Sequence, residues 1–332
     1  VSVIRLTTKI TITQADNTNN LLTSFIDREY DADLVIFINA NYKMAQNDDI
    51  STISILRKID DANSPTNGRP IITLLDYNVR FLEIYLRGAG NDKAKILTYS
   101  FMHEFFHFLG FEKSILEKAR ILTTTIVKRV NSIGNQKAIA TGKTLLTKAK
   151  EYFNCSSIIG LEFEVDEQFL HWDSRILLGD IMTSNIYYPD QVISEFTLAL
   201  LEDIGWYKVN YYTGGLMRFG KHKGCNFING DCVGLNHQNE IAPSFSNEFC
   251  FQESNTEIYG TCSPGRQSRG YCYQKTIYSD VESDMRRIFS SSSSSSKEWT
   301  TNYGPKITEY CPITYEMLKE QIITDDTTNR SE

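Results

Sequence analysis

The sequence predicts an α+β fold, in which a twisted mixed sheet packs against two long helices and a cysteine-rich part follows. Two mostly apolar, β-branched runs at 32–39 and 70–75 predict buried strands. Apolar residues recur with helical spacing at 93–109 and 191–204, and each of these segments is followed directly by a glycine. All seven cysteines lie at or after residue 155 of the 332-residue chain.

The composition excludes several classes of protein. Hydrophobic residues make up 41% of the chain and charged residues 23%, which supplies enough apolar material for a core and argues against disorder of the whole chain. The net charge is −7, from 34 basic and 41 acidic residues, and it argues against nucleic-acid binding through a global basic field. No apolar run is long enough to predict a membrane span. The chain opens without Met or an apolar signal segment, which predicts a fragment or a mature form.

Two further segments are interpreted from local signals. Residues 49–59, between the two strands, predict a helix capped by Asp49 or Ser51. The second strand, 70–75, follows a Pro- and Gly-containing loop.

The middle of the chain differs in charge. Residues 113–150 hold nine basic residues and one acidic residue, Glu117. Because the basic residues are spread rather than clustered, we interpret this segment as a solvated insertion with a helix near 141–153. The alternative is a patch that binds an anionic surface. Further on, the serine run Ser290–Ser296 predicts a disordered loop.

The cysteine spacing favours disulfide bonds in an oxidising compartment. No CxxC pair occurs among Cys155, Cys225, Cys232, Cys250, Cys262, Cys272 and Cys311. Zinc-ribbon spacing is therefore absent, and scattered disulfides are the better interpretation. The odd number leaves one free thiol, or one whose partner lies outside this sequence. Glycosylation triplets at Asn154 and Asn329 agree with secretion.

An HExxH motif at 103–107 is the strongest chemical signal. On a helix, His103 and His107 project from one face, one turn apart. Two imidazoles in that arrangement can bind one Zn²⁺, with Glu104 beside them to deprotonate a bound water. The opposite side of the helix carries Phe101, Phe105 and Phe108, where a core would need them. The alternative is an amphipathic helix with two incidental histidines.

A zinc site needs a third protein ligand, and the residues alone leave its identity open. The compact form of the motif would place a histidine where Lys113 stands, and a protonated lysine cannot bind a metal. The histidine candidates are His171, His222 and His237; the carboxylate candidates are Glu162, Glu164 and Glu167.

Several motifs in order resemble the leishmanolysin family of metzincin zinc metalloproteases, peptidase family M8. The resemblance rests on 103–111 (HEFFHFLGF), then 171–175 (HWDSR) and 180–184 (DIMTS). Further similar stretches are 149–155, 161–164, 187–207, 217–220 and 224–227. The resemblance implies a zincin-like metzincin fold with a Met-turn at Met182, and it implies that His171 is the third ligand.

The resemblance also implies a function. The chain is expected to be a zinc-dependent endopeptidase with one zinc per chain, in which Glu104 is general base and then general acid. An extended protein or peptide substrate is expected to pair with Pro70–Leu75 as an exposed edge strand. The alternatives are a peptidase with a glutamate third ligand and a non-catalytic adhesion or binding module on the same fold. We expect a protein that is secreted or associated with the outer cell surface, with no nucleic-acid partner.

Three parts are predicted: an N-terminal catalytic subdomain at 1–111, a central subdomain at 112–235 with the insertion, third ligand and Met-turn, and a cysteine-rich C-terminal domain at 236–332. The chain departs from the family pattern because no cysteine precedes Cys155 and no pro-segment or lipid-anchor signal is visible.

Overall fold

The computed structural model describes most of the N-terminal and central parts of the chain and short pieces of the C-terminal part. The described residues are 2–3, 9–17, 20–41, 51–79, 91–128, 134–164, 168–184, 191–230, 232–235, 241–243, 245, 248–250, 261–266, 269–273, 308–309 and 311–315. The serine run 290–296, His237, Glu167 and Asn329 lie outside them.

The described elements mix strands and helices, as predicted. The strands are β1 (Ser2–Val3), β2 (Lys9–Thr11), β3 (Glu29–Asp31), β4 (Val35–Asn41), β5 (Ser51–Lys58), β6 (Pro70–Asn78), β7 (Leu122–Val127), β8 (Asn135–Ala140), β9 (Leu161–Glu162), β10 (Tyr207–Lys208), β11 (Val233–Leu235), β12 (Ile241–Pro243), β13 (Thr261–Cys262), β14 (Arg269–Tyr273) and β15 (Ile313–Tyr315). The α-helices are α1 (Asn91–Leu109), α2 (Lys113–Lys118), α3 (Lys143–Phe153), α4 (Ser174–Leu177), α5 (Glu195–Ile204) and α6 (Cys225–Asn229). Short 3₁₀ turns cover Gln14–Asp16, Thr23–Phe25 and Tyr211–Thr213.

A three-stranded mixed sheet precedes helix α1 in the chain. Its order is β4-β6-β5, with β4 parallel and β5 antiparallel to the central strand β6. The predicted strands at 32–39 and 70–75 are confirmed as β4 and β6. One face of β6 packs through Leu75 and Tyr77 against Phe108 of α1, and Ile72 packs on the N-terminal elements. The sheet is therefore covered on both sides.

The prediction of a helix at 49–59 is wrong, because Ser51–Lys58 forms strand β5. Ile53 and Ile55 alternate with the exposed Thr52 and Ser54, so both isoleucines face the cluster around Phe108. This two-residue period is typical of a half-buried strand, and it outweighs the local signals for a helix cap.

The prediction that Pro70–Leu75 is an exposed edge strand is also wrong. This segment belongs to β6, which pairs with β4 along one side and with β5 along the other. Its continuous apolar character reflects burial on both faces. Among the described strands of this sheet, β4 and β5 are the edges.

Helix α1 confirms the predicted helix at 93–109 and begins two residues earlier. Phe108 is buried and Phe105 is half-buried, but Phe101 is 37% exposed, so the expectation that all three phenylalanines lie in the core is wrong. Leu75 and Tyr77 contact α1 at the level of Phe108, about two helical turns from Phe101.

The central part packs α3 and α5 against a second sheet, β7-β8-β9. The helix predicted near 141–153 is confirmed as α3, and the helix predicted at 191–204 is confirmed as α5, which begins four residues later. Helix α5 begins at Glu195 because the Ser194 hydroxyl accepts the N–H groups of Phe196 and Thr197, and it ends at Gly205 with φ +87°. None of the helices among the described residues is long and apolar enough to cross a membrane.

One core cluster extends through the three predicted parts of the chain. It contains Phe106 of α1, Trp172 and Leu200 of the central part, and Ile313 of β15. The division at 111 and 235 remains a prediction, and these contacts give all three parts a shared apolar core.

The disulfides expected from the cysteine spacing are present. They join Cys155 to Cys225, Cys232 to Cys311 and Cys250 to Cys272, and Cys262 is free and exposed. The bond at Cys311 ties β15, near the C-terminal end of the described residues, to the central part.

Candidate metal centre

Helix α1 presents His103 and His107 on one face, one turn apart. Both side chains are nearly inaccessible, at 4% and 1% exposure, and their ring centroids are 4.8 Å apart. The helix ends at Leu109, so the chain turns away and nothing later in α1 can supply a third group to that face.

His171 reaches the same point from a separate, extended segment. Phe169 forms a bridge with Glu112, just after the end of α1, and Trp172 forms bridges with Phe163 and Thr183. The carbonyl of His171 accepts the N–H of Glu164 at 2.9 Å. The segment is therefore held on both sides, and His171 has little freedom to move along the helix.

The three imidazoles converge through the same ring atom. Nε2 of His103 lies 3.0 Å from Nε2 of His171 and 3.1 Å from Nε2 of His107, and the remaining pair is 3.2 Å apart. Three nitrogen atoms in so small a triangle can hold one metal ion between them.

Backbone carbonyls fix which nitrogen of each helix histidine faces this triangle. Nδ1 of His103 lies 2.6 Å from the Ile181 carbonyl, and Nδ1 of His107 lies 2.9 Å from the Phe111 carbonyl. A carbonyl can only accept, so each Nδ1 carries the proton and each Nε2 keeps a lone pair. Backbone carbonyls, and not acidic side chains, therefore support the rings of both helix histidines.

Burial keeps the three rings neutral. It lowers the pKa of His103 to about 4 and that of His171 to about 3, and the adjacent His103 ring lowers the pKa of His171 further. Burial, followed by the two neighbouring imidazoles, also lowers the pKa of His107 well below its usual value. At neutral pH all three rings are therefore neutral, and each can offer a nitrogen lone pair to a metal ion.

Glu104 follows His103 on α1, and its side chain contacts the sheet. Ser51, the first residue of β5, donates its hydroxyl to Oε1 of Glu104 at 2.5 Å. A carboxylate held in this way keeps one oxygen in a fixed direction. The sequence pattern indicates Ser51 only as a helix cap, and its contact with Glu104 depends on the pairing of β5 with β6.

The other predicted ligand candidates are used elsewhere or lie outside the described residues. Glu162 pairs with Lys137 at 3.4 Å, and Glu164 accepts from the hydroxyl and N–H of Ser174. His222 is exposed, in a turn with φ +58°.

A second group of acidic side chains lies close by and surrounds a lysine. Carboxylates of Glu162, Asp173 and Glu309 lie within 4.8 Å of one another, and Lys137 Nζ contacts all three. The Arg175 guanidinium lies 3.8 Å from Glu309. An ammonium group already occupies this cluster, so it is an ion-pair network that joins the segment after His171 to the C-terminal part.

Met182 is completely buried, and its carbonyl accepts the N–H of Trp172 at 2.8 Å. This bond joins the turn at 180–183 to the segment that carries His171. The carbonyl one residue earlier, at Ile181, is the one that holds His103.

These features define a class of protein in which two histidines of one helix and a third from a returning segment surround a space for one metal ion. The chain belongs to the leishmanolysin family: the model of that family, peptidase family M8, matches residues 22–328. The family is one of metallopeptidases, which agrees with the histidine cluster.

Curated relatives carry the same family name. The chain is 30% identical over 132 residues to a leishmanolysin-like peptidase of Drosophila melanogaster, which covers 39% of this chain and 19% of that protein. It is 25% identical over 274 residues to a leishmanolysin-like peptidase of Caenorhabditis briggsae (68% and 41%), and 26% identical over 185 residues to leishmanolysin of Leishmania chagasi (54% and 28%). The matched region thus spans less than half the length of each relative.

Proposed function

We propose that this chain is a zinc-dependent endopeptidase in which His103, His107 and His171 bind one Zn²⁺ and Glu104 is the general base. The convergence of the three Nε2 atoms within 3.2 Å carries this proposal.

The donor set fits zinc. In a tetrahedral site with Zn–N bonds of ~2.05 Å, neighbouring nitrogen ligands lie about 3.3 Å apart. The measured separations of 3.0 to 3.2 Å are close to that value. Three neutral imidazoles leave a fourth position open, which is the pattern of a catalytic rather than a structural zinc site.

Zinc, when bound, supplies a Lewis acid and lowers the pKa of a coordinated water towards ~7. The chain's own residues do the rest. Glu104 accepts a proton from the attacking water and then delivers it to the leaving amine. Ser51 holds Oε1 of that carboxylate, so the proton-transferring group does not have to be oriented anew in each cycle.

The position of β5 at the edge of its sheet favours an extended peptide as substrate. Its first residue contacts Glu104, and among the described strands β5 pairs only with β6. An extended peptide can therefore add along β5, with its main chain hydrogen-bonded to the strand and its scissile bond near Glu104. The docking strand is therefore β5 and not Pro70–Leu75, which is paired on both sides.

We further propose that the protein works in an oxidising compartment, secreted or at the outer cell surface. The three disulfides support this, because such bonds persist where the surroundings are oxidising. The Met-turn role of Met182 is part of the same proposal and is supported by its complete burial beside the Ile181 carbonyl.

The test is zinc content and casein cleavage for the wild type, Glu104→Gln and the control Glu117→Gln, an exposed carboxylate on α2. We expect one zinc per chain in all three and cleavage by the wild type and the control only. One zinc but no cleavage in any variant would favour the binding-module alternative. Absence of zinc from the wild type would overturn the proposal.

A further inference from the structure

The carboxylate of Asp180 is completely buried and joins two parts of the central region. Oδ1 accepts the N–H of Met182 at 2.6 Å, and Oδ2 accepts the N–H of Ser194, the N-cap of α5, at 3.2 Å. The Thr197 hydroxyl lies 2.9 Å from both oxygens. A carboxylate is costly to bury unless it is fully hydrogen-bonded, and these donors meet that requirement.

On one side, these bonds fix the carbonyl that orients His103. Ile181 lies between Asp180, whose side chain accepts, and Met182, whose N–H donates to it. The Ile181 N–H is also bonded, to the Val192 carbonyl at 2.8 Å. The Ile181 carbonyl therefore has a fixed direction, and it lies 2.6 Å from Nδ1 of His103.

On the other side, the same carboxylate is linked through the Thr197 hydroxyl to Trp172, the residue after His171. The indole Nε1 of Trp172 donates to the Thr197 hydroxyl at 2.9 Å, and that hydroxyl donates in turn to Asp180. Trp172 is completely buried and stacks on Phe163. The chain Trp172–Thr197–Asp180 thus anchors the segment that carries the third histidine.

We propose that Asp180 is a positioning residue for the metal centre, acting on His103 through the Ile181 carbonyl and on His171 through Thr197 and Trp172. This inference rests on the proposed function, because it assumes that the three histidines bind zinc. Asp180 does not touch the three imidazole nitrogens of the site; its effect is on their direction. Removal of such outer partners typically weakens metal binding ~10- to 100-fold.

The first test is the zinc dissociation constant of Asp180→Asn, measured by competition with a chromophoric chelator on protein whose near-UV circular dichroism shows a folded state. An amide cannot accept from all the donors that meet this carboxylate, so we expect zinc binding at least ~10-fold weaker than in the wild type. The absorption spectrum of bound Co²⁺ is expected to change as well, which reports ligand geometry independently of activity.

Asp203→Asn is the matched control. Asp203 caps α3, which carries none of the three histidines, by accepting the N–H groups of Thr144 and Leu145 at 2.9 and 2.8 Å. We expect this variant to lose stability while it keeps the wild-type zinc dissociation constant. A purely structural role of Asp180 would make the two variants alike.

Thr197→Val and Thr197→Ser keep the inference testable if Asp180→Asn does not fold. Valine matches threonine in shape and removes the hydroxyl, whereas serine keeps it. We expect weaker zinc binding for valine and near wild-type binding for serine. Wild-type affinity in both Thr197→Val and any folded Asp180→Asn would overturn the inference and leave the proposed function standing. A wild-type chain that binds no zinc would overturn both.

Discussion

The backbone carbonyl of Phe111 lies 2.9 Å from Nδ1 of His107, and the same oxygen accepts the N–H of Leu170 at 3.2 Å. The Phe111 carbonyl oxygen thus orients His107 and also fixes the position of the segment that carries His171. The chain must leave α1 directly after Leu109 for Phe111 to reach this position. The residue that allows the turn is Gly110.

Gly110→Ala is expected to disturb both the orientation of His107 and the position of the segment that carries His171. Gly110 has φ +153°, and a Cβ there would lie 2.4 Å from Cδ1 of Ile204. We expect the free energy of unfolding to fall by about 3 kcal/mol from backbone strain and overpacking together. Urea denaturation measures this. The control is Gly205→Ala, with φ +87° and open space around the new Cβ, which should lose only about 1 kcal/mol. Equal losses in the two variants would contradict the steric argument.

His171→Ala is expected to abolish stoichiometric zinc binding, because two imidazoles of one helix leave the ion with too few protein ligands. Zinc content after reloading and dialysis measures this. The control is His222→Asn, an exposed histidine at φ +58°, where asparagine tolerates the backbone. One zinc retained by His171→Ala would point instead to a glutamate ligand.

Ser51→Ala is expected to lower kcat about tenfold at unchanged zinc content, because Glu104 loses a charge-assisted hydrogen bond that fixes its direction. Steady-state kinetics on a peptide substrate separates kcat from KM. Ser54→Ala, in the same strand and exposed, should behave as the wild type. A change in KM alone would show that Ser51 contacts substrate and does not position Glu104.

Lys137→Met is expected to destabilise the protein by about 3–5 kcal/mol, because it leaves the buried carboxylates of Glu162, Asp173 and Glu309 without the ammonium group. Thermal unfolding measures the loss. Lys9→Met, which breaks the exposed pair with Glu29, should leave the midpoint unchanged. A small effect at Lys137 would mean that these carboxylates are protonated or reach water.

Glu164 is expected to make the free energy of unfolding depend on pH. Burial raises its pKa to about 7. Between its ordinary value of 4.5 and 7, the folded state holds a proton that the unfolded state has lost, so this group's contribution to stability falls as pH rises through that window. Glu164→Gln removes the effect. We expect the variant to gain up to ~3 kcal/mol relative to the wild type between pH 5 and pH 8. A difference that is constant with pH would rule this out.

Helix α1 could be predicted from sequence because its signals are local. The HExxH spacing places His103 and His107 on one face, and Gly110 marks the end. Helix α5 is similar, with Ser194 and Gly205 at its ends. Strand β5 could not be predicted in this way, because Asp49 and Ser51 are typical helix caps. The alternation at Ile53 and Ile55 indicates a strand only once its partner β6 is known.

The contacts that support the three histidines could not be predicted from the sequence. The carbonyls of Ile181 and Phe111 belong to backbone that every residue possesses, so no residue type signals them. Glu309, which pairs with Lys137, lies two residues before Cys311, and the disulfide from Cys311 to Cys232 cannot be deduced from sequence alone. The identity of His171 came from the family resemblance.

His107 and His171 are far apart in the sequence, so an ion bound by both would make the stability of the folded chain depend on the zinc concentration. An ion held by both would close a loop with a sequence separation of 64, close to the 70 of the Cys155–Cys225 disulfide, and the two loops overlap. The disulfide persists when the chain unfolds, whereas the ion leaves. Its stabilisation therefore follows mass action, at about 1.4 kcal/mol for each tenfold rise in free zinc above the dissociation constant. The same folded chain would be more or less resistant to unfolding according to the zinc concentration around it.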